Sequence, residues 1–364
     1  MKRAAFIGAV LLIGCGEQFE PISELETLRV LAVQKSAPYA DPGEEVELRM
    51  LWFDGAAPPA RSIQRTWISG CYNPPADQYA GCFEALGAAL GGAEGPSPPV
   101  VDLEALLNQA EGERVCFDAE ETVCVGSGDR FSFNLPESIV ADHAPSQDPT
   151  QPRYGLAFTF FAVCAGRLVL DPAVAAERAF PILCLDESGE PLGASDYVAG
   201  YSSLYAFEDF DNANPEITGF VFNGESVSPS CIGADCLDAP MAIEECSADA
   251  VATVPVCPHD DPDDCPGYAA FPRVAESSIE IDEVTNATRD RTLREQMWIR
   301  YFVDEGAVSS AVRLVSDATT GPIPEARRGT ELKAPSTPGP VNLWAVVQDN
   351  RGGANWARIE VCAQ

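Results

Sequence analysis

Two short acidic segments carry the residue types that bind calcium. Calcium is a hard cation that takes about six to eight oxygen ligands, and clustered carboxylates repel one another until a cation arrives. One segment lies near the middle of the chain and the other lies between two cysteines. The candidate ligands are Asp209, Asp211, Asn212 and Asn214 in the first segment and Asp260, Asp261, Asp263 and Asp264 in the second. The alternative is that both are solvated loops, which a chain with 56 acidic residues often contains.

The spacing of the first segment resembles the Asp/Asn linkers that bind Ca²⁺ between cadherin repeats. That resemblance implies a cation that would stiffen the two halves of the chain relative to each other. Calcium is therefore the one candidate cofactor.

The 13 cysteines admit either disulfides or metal ligation. Zinc sites use closely paired ligands such as CxxC, and the spacings Cys231-x4-Cys236 and Cys257-x7-Cys265 fit that pattern poorly. Disulfides also suit an oxidising compartment. Twelve cysteines are disulfide candidates, and six in each half still admit 15 pairings per half. Short spacing favours Cys71–Cys82, Cys116–Cys124, Cys164–Cys184 and Cys231–Cys236, with Cys246, Cys257, Cys265 and Cys362 left to pair among themselves.

Catalytic patterns are weak in this sequence. The two histidines, His143 and His259, lie in loops rich in Pro and Asp, and neither belongs to a recognisable Ser/His or Cys/His arrangement. There is no Gly-rich phosphate loop or dinucleotide fingerprint. We therefore expect no enzyme, with an envelope hydrolase as the weakest alternative.

The net charge limits the partners. Fifty-six acidic against 23 basic side chains give a formal charge of −33. Such a chain lacks the basic surface that binds phosphate backbones, so no nucleic-acid partner is expected.

The N-terminus predicts an exported, lipid-anchored protein. Lys2 and Arg3 precede an apolar run, Ala4 to Ile13, which is about half as long as a membrane-spanning helix. The run ends in Leu-Ile-Gly-Cys, which resembles the bacterial lipobox. That resemblance implies cleavage after residue 14, lipid on Cys15 and, because Gly16 rather than Asp follows, transport to the outer membrane. Acyl chains on one residue anchor stably because each buried CH₂ contributes ~0.8 kcal/mol.

Strand patterns dominate the first half. Glu45 to Phe53 places Val46, Leu48, Met50 and Trp52 on one face and Glu45, Glu47 and Arg49 on the other, which is typical of a half-buried antiparallel strand. Tyr154 to Cys164 is nearly all apolar and is predicted to be central, with Ala179 to Leu185 as its neighbour. Further strands are predicted at 28–34, 62–69, 130–135 and 197–207. Between them, Asp102 is placed to cap a helix carrying Leu103, Leu106 and Leu107.

The second half repeats this plan. Strands are predicted at Glu216 to Phe222, at Ser278 to Val284 with Ile279 and Ile281 buried, and at Gln296 to Asp304 with alternating faces. Further strands are predicted at 312–316, 341–348 and 355–362, and the last two flank a Gly-rich hairpin turn at 349–353.

These patterns predict an all-β chain of two tandem immunoglobulin-like β-sandwiches with disulfide-stapled, partly helical insertions. The polar segment 208–215 is the best boundary. The predicted organisation is a signal peptide (1–14), an acidic tether (15–27), a first sandwich (28–208) with an insertion at about 70–128, and a second (209–364) with a Cys-rich insertion at about 227–273.

Three segments resemble uncharacterised surface lipoproteins of GC-rich Gram-negative bacteria. They are GCYNPP with YAGC at 70–82, LRVLAV at 28–33 and LWAVVQDNRGG at 343–353. The resemblance implies tandem immunoglobulin-like domains behind a lipobox and implies no activity. The predicted second strands have no Cys to pack under Trp67 or Trp298, so the sandwiches depart from the antibody type.

The leading functional hypothesis is a non-catalytic interaction or structural module of the cell envelope, anchored in the outer membrane and facing the periplasm or the cell surface. Its partner is an unidentified protein or glycan. The alternative is a carbohydrate- or peptidoglycan-binding lipoprotein that uses calcium, for which exposed Trp or Tyr in a groove would be the sign. The five tryptophans lie in predicted strands, where core packing is the usual role of Trp: Trp52, Trp67, Trp298, Trp344 and Trp356.

Overall fold

The structure is a computed structural model that describes residues 21–56, 61–83, 86, 101–109, 114–146, 148–171, 182–239, 245–248, 250–259, 261–289 and 292–364. The lipobox with Cys15 lies outside the described residues, and so does Asp260. Within these ranges the chain folds into immunoglobulin-like β-sandwiches, and the predicted all-β class is confirmed. No described helix combines the length and apolar character that a membrane crossing requires.

Within the described residues, twelve strands and short α-helical segments make up the first sandwich. The strands are β1 (Leu28–Lys35), β2 (Tyr39–Ala40), β3 (Glu45–Asp54), β4 (Gln64–Tyr72), β5 (Val101–Asp102), β6 (Arg114–Cys116), β7 (Cys124–Ser127), β8 (Arg130–Asn134), β9 (Gly155–Cys164), β10 (Arg167–Leu170), β11 (Ile182–Leu185) and β12 (Tyr197–Ala206). The helices are α1 (Leu103–Gln109) and α2 (Ile139–Asp142), with 3-10 turns at Pro75–Asp77 and Tyr79–Cys82.

Two sheets enclose the first core. A three-stranded sheet in the order β1-β3-β8 packs on a six-stranded sheet in the order β2-β12-β9-β4-β7-β6. The alternating residues of β3 supply Val46, Leu48 and Met50 to the core, as predicted, where they meet Trp67 of β4 and Phe161 of β9. The period-two pattern of β3 therefore fixes which face of that strand is buried.

The outer face of the six-stranded sheet is covered by the insertion. The α1 helix places Leu103 and Leu107 over β9, and the Asp102 side chain accepts a hydrogen bond from Ala105 N at 3.0 Å as its N-cap. A small sheet in the order β11-β10-β5 completes the cover. The expected pairing of β11 with β9 is wrong, because β10 lies between them in the chain and forms the hairpin with β11.

The described residues of the second sandwich also include twelve strands. They are β13 (Ile217–Phe222), β14 (Glu225–Val227), β15 (Cys231–Ile232), β16 (Ala252–Val254), β17 (Gly267–Val274), β18 (Met297–Val303), β19 (Ala307–Val308), β20 (Val312–Asp317), β21 (Gly321–Pro322), β22 (Thr330–Lys333), β23 (Gly339–Asp349) and β24 (Ala354–Ala363). The described helices are α3 (Glu283–Asn286) and 3-10 turns at Gly233–Cys236, Pro262–Asp264, Glu276–Ser278 and Glu325–Arg327.

A five-stranded sheet in the order β14-β13-β17-β22-β19 packs on a larger sheet built around β24-β23-β18-β20. The alternation predicted for β18 is confirmed, since Met297, Ile299 and Tyr301 enter the core. Trp298 and Arg300 point to the opposite face, which looks toward the first sandwich.

Two expectations for the second half are wrong. Residues 278–284 form no strand, because the Asp282 side chain accepts from Thr285 N at 3.0 Å and starts the α3 helix. Ile281 is therefore exposed, although Ile279 is buried as expected. The stretch at 227–273 was expected to be irregular, but it ends in β17, a strand that contributes to the core. Pro272 within β17 argued against a strand in the sequence, because proline is uncommon inside strands.

Candidate ligand cleft at the junction of the sandwiches

The two sandwiches share an apolar junction. Leu31 of β1 and Leu51 and Phe53 of β3 pack against Trp344 of β23 and Trp356 of β24. All five are at most 5% exposed. Burial of this much apolar surface holds the two sandwiches in one fixed arrangement.

Polar contacts reinforce the same junction. Gln34 donates to the carbonyl of Ala354 at 2.7 Å, and Lys35 donates to the carbonyl of Gly352 at 2.9 Å. In the segment between the sandwiches, Asn214 donates to the carbonyl of Lys35 at 2.7 Å and accepts from Ala354 N at 3.0 Å. The segment is thus clamped by both sandwiches.

The turn at 349–353 is the hub of these contacts. Asp349 Oδ1 accepts from the backbone N–H groups of Arg351 and Gly353 at 2.8 and 2.9 Å. Gly352 has a φ of 95°, which favours glycine. A Cβ on Gly353 would lie 2.1 Å from the Asp349 carboxylate, so a side chain there would displace the carboxylate.

Arg351 is buried in a group of carboxylates. Its Nε donates to Glu295 at 2.6 Å and its Nη2 bonds Glu280, while its guanidinium lies 5.4 Å from the ring centre of Tyr39 in the first sandwich. Burial, together with the charge of Asp349, raises the pKa of Glu295 to about 7 although Arg351 opposes the shift. Arg351 therefore ties the second sandwich to the first through one cation.

Beside this hub a cleft of about 380 Å³ separates the sandwiches. Its floor is the outer face of β18 and β23, one wall is formed by β1 and β12, and the 352–354 backbone closes one end. The side chains that carry its chemistry are Lys35, Ser202, Trp298, Arg300 and Gln348. We call this space the junction cleft.

The junction cleft combines aromatic and cationic groups. Tyr201 also borders the cleft, but its ring stacks on Tyr79, 4.5 Å away between ring centres, on the sheet face opposite to Phe161. Trp298 is half-buried on the floor, and the Arg300 guanidinium lies 5.9 Å from the ring centre of Phe302. Lys35 is held by Gly352, and burial lowers its pKa to about 8 against the attraction of Asp349. Convergent polar groups among aromatic rings are typical of a small-ligand site.

The calcium candidates fall into different surroundings. Asn214 is used in the junction contacts, and the adjacent Asn212 is buried with neither amide atom hydrogen-bonded. Asp209 and Asp211 precede these asparagines in the sequence and follow β12. Arg351 donates a hydrogen bond to the backbone carbonyl of Asp211 at 3.4 Å.

In the second acidic segment, Asp261 accepts from Asp263 N at 2.9 Å, and Asp263 and Asp264 are exposed. Across the described ranges, no three His, Cys, Asp or Glu side chains are grouped as a metal site requires. Calcium binding at either segment stays a prediction.

The twelve cysteines after Cys15 form six disulfides. The pairs are Cys71–Cys82, Cys116–Cys124, Cys164–Cys184, Cys231–Cys236, Cys246–Cys362 and Cys257–Cys265. Every bridge joins residues on one side of segment 208–215, so each sandwich carries three.

The tryptophans divide into two groups. Trp67, Trp344 and Trp356 are fully buried, whereas Trp52 and Trp298 are half-buried. Of these five, Trp298 alone lines the junction cleft.

A polar cluster that the sequence did not indicate lies on the first sandwich. Asp77 accepts from the Tyr154 hydroxyl at 2.7 Å and contacts His143 Nε2 at 2.9 Å. Tyr154 lies 77 positions and His143 66 positions from Asp77, so spacing gave no signal. The contacts attach the 75–77 turn to the loop after α2. The other histidine, His259, lies in the second half of the chain, where its N–H contacts the sulfur of Cys257.

No protein-family model and no curated protein matches the chain. Among solved structures, it is similar to fibronectin(III)-like modules of Clostridium thermocellum CbhA at 7% identity, with 92% of this chain and 94% of that one covered and a TM-score of 0.21. It is similar to dimeric latent PorU of Porphyromonas gingivalis at 12% identity, with 94% of this chain covered, 24% of PorU and a TM-score of 0.19. A Salmonella alpha-2-macroglobulin gives 11% identity, 96% and 17% coverage and a TM-score of 0.19. The chain thus spans about a quarter or less of the last two proteins.

Proposed function

We propose that this chain is a non-catalytic binding module of the bacterial cell envelope, anchored in the outer membrane by lipid on Cys15. The observation that carries the proposal is the junction cleft, which two sandwiches hold open through a buried apolar interface and the contacts of the 349–353 turn. A preformed cleft between rigid sheets binds a ligand without first having to be ordered.

The start of the described chain supports an anchor near this cleft. Leu25 N donates to the carbonyl of Val303 at 3.0 Å, and Val303 N donates to the carbonyl of Ser23 at 2.8 Å. The N-terminal segment is therefore fixed to β18, whose other end forms the cleft floor. The six residue-to-residue steps from Cys15 to Pro21 span roughly 20 Å at most, so lipid on Cys15 would hold the junction close to the membrane.

The disulfides support the compartment. Six bridges persist only in an oxidising environment such as the periplasm or the cell surface. The formal charge of −33 becomes −35 once Lys2 and Arg3 leave with the signal peptide, and such a charge keeps a tethered protein soluble.

Fractionation of cells tests the anchor. Cys15→Ser should move the protein from the membrane pellet to the soluble fraction and abolish incorporation of labelled palmitate, whereas Gln18→Ala should change neither. Gly16→Asp should shift it from outer-membrane to inner-membrane density on a sucrose gradient. Retention of the Cys15→Ser protein in the membrane pellet would overturn the lipid anchor.

A second candidate function is favoured by one observation. Trp298 presents aromatic surface inside the junction cleft, which is the feature expected of the carbohydrate- or peptidoglycan-binding alternative. In this version the envelope module holds a glycan in the junction cleft.

A further inference from the structure

We infer that the junction cleft binds an acidic saccharide, a chain of sugar rings that carry carboxylates. The inference deepens the second candidate function and rests on it. It is carried by one juxtaposition, in which a half-buried tryptophan lies beside an arginine that makes no ion pair within the described residues.

The floor places an aromatic ring and a cation in register. Trp298 and Arg300 are two residues apart on β18 and share its outer face, so they are about 7 Å apart along the strand. Trp298 is flanked by Gln348 of β23 in the pairing, and Arg300 by Val346. A sugar ring packed on Trp298 would therefore have a carboxylate on that ring or the next within reach of Arg300.

The wall supplies a hydroxyl group. Ser202 pairs with Thr159 of β9 and therefore shares the sheet face on which Phe161 lines the cleft. The Tyr201 ring lies on the opposite face, where it stacks on Tyr79 and contacts Phe158. The Trp298 ring can take the C–H face of a sugar, and the Ser202 hydroxyl and the Gln348 amide match its hydroxyls.

Arg300 is the group that favours an anion. Arg61, Arg65 and Arg351 each have a carboxylate oxygen within 2.7 Å. Within the described part of this acid-rich chain, Arg300 makes no ion pair, and its guanidinium lies over the Phe302 ring. A guanidinium binds carboxylates through paired hydrogen bonds.

The remaining charges of the cleft also favour an anion. Lys35 is positive and is fixed by the carbonyl of Gly352. Asp349 is the one acid of the lining, and its Oδ1 is occupied by the amides of its own turn. The lining therefore carries two cations and one anion on a protein whose formal charge is −33.

An extended peptide is the competing occupant. β12 pairs with β9 along one edge, while its other edge pairs with β2 only at Tyr205 and Ala206. A peptide strand could therefore add to the open edge beside the cleft. The floor favours a saccharide, because Trp298, Arg300 and Gln348 offer an aromatic ring, a cation and an amide there as side chains.

Calorimetry on the full chain in detergent micelles tests the inference. The probes are a short oligogalacturonate, a maltooligosaccharide of equal length and an oligoglutamate of equal charge. We expect the oligogalacturonate to bind, with weaker binding at higher salt, and the other two to bind at least about tenfold more weakly. Arg300→Gln and Trp298→Ala should each weaken oligogalacturonate binding at least about tenfold.

Trp52 and Arg65 supply the matched control. They are also a half-buried strand tryptophan and its neighbouring arginine, 4.9 Å from guanidinium to ring centre, but they lie outside the cleft. Trp52→Ala and Arg65→Gln should leave the affinity unchanged. Thermal unfolding checks that each variant is folded. If Trp298→Ala does not fold, the binding measured for Arg300→Gln alone tests the inference.

Several outcomes would overturn the inference. These are equal binding of the neutral oligosaccharide, preferential binding of the oligoglutamate, no binding of any probe, or equal losses in the control pair. Release of the Cys15→Ser protein from membranes does not depend on any of these results, so the envelope module can stand while the acidic-saccharide inference fails.

Discussion

The ammonium group of Lys35 donates a hydrogen bond to the carbonyl oxygen of Gly352, 2.9 Å away, across the junction of the two sandwiches. Lys35 is 5% exposed, and burial lowers its pKa to about 8. A buried cation is costly unless it is paired, and the carboxylate of Asp349 in the same turn opposes the shift. The contact therefore stabilises one particular docking of the sandwiches.

Replacing this lysine should weaken the whole fold. Lys35→Met leaves the Gly352 carbonyl without its donor and Asp349 without its nearby cation, and we expect a loss of about 3 kcal/mol in the free energy of unfolding. Urea unfolding followed by tryptophan fluorescence measures it. Because the junction is weakened, the single urea-unfolding transition should also separate into two, one for each sandwich.

Lys333 is the matched control. It donates to the carbonyl of Cys265 at 2.9 Å, but both residues lie in the second sandwich. Lys333→Met should cost about 1 kcal/mol and leave the transition single. Equal losses for the two variants would show that Lys35 has no special role at the junction.

Glu295 should give the junction a pH dependence. Burial, with Asp349, raises its pKa from 4.5 to about 7 against the pull of Arg351, and Glu280 and Asp282 lie in the same group. The folded state then binds the proton more tightly than the unfolded chain does. Its contribution to stability is present in full below pH 4.5 and is lost as the pH rises through 7.

Glu295→Gln tests this sign. The free energy of unfolding of the wild type minus that of the variant should fall by roughly 3 kcal/mol between pH 4.5 and pH 7. Denaturation curves at half-unit pH intervals give the difference directly. A difference that is flat or that rises with pH would contradict the raised pKa.

Period-two patterns predicted the elements that face a single core. Val46 and Leu48 in β3, and Met297 and Ile299 in β18, are buried in alternation as expected. The pattern failed where a side chain competes for the backbone. At 278–284 two isoleucines suggested a strand, but the carboxylate of Asp282 caps a helix instead.

The junction cleft was beyond prediction from sequence. Its walls come from residues 30–35, 201–203, 298–300 and 348–354, so it exists only because two separately folded sandwiches dock. One signal was present in β18, whose second face carries Trp298 and Phe302 as well as Arg300. A strand with aromatic residues on both faces indicates that both faces are covered, though not by what.

The cap at Asp282 can be tested by removing its carboxylate. Asp282→Ala should cost about 1 kcal/mol, because Thr285 N loses its acceptor at the start of α3. Asp282→Asn should recover most of the loss, since an asparagine oxygen also accepts at an N-cap. Chemical denaturation measures both variants, and equal losses for Ala and Asn would mean that the negative charge, rather than the cap, is what matters.

The disulfides should differ in how much each contributes to the free energy of unfolding, according to the length of the loop that each closes. Cys246–Cys362 spans 116 residues, whereas Cys231–Cys236 spans five. Loop-closure entropy in the unfolded chain predicts about 5 kcal/mol for the long bridge and about 2 kcal/mol for the short one. Changing both cysteines of a pair to serine avoids leaving a free thiol. Chemical denaturation should therefore show that the two double variants differ by about 3 kcal/mol in the free energy of unfolding, with the larger loss for the long bridge. Equal losses, or a larger loss for the short bridge, would mean that local packing around each bridge outweighs the entropy of the unfolded chain.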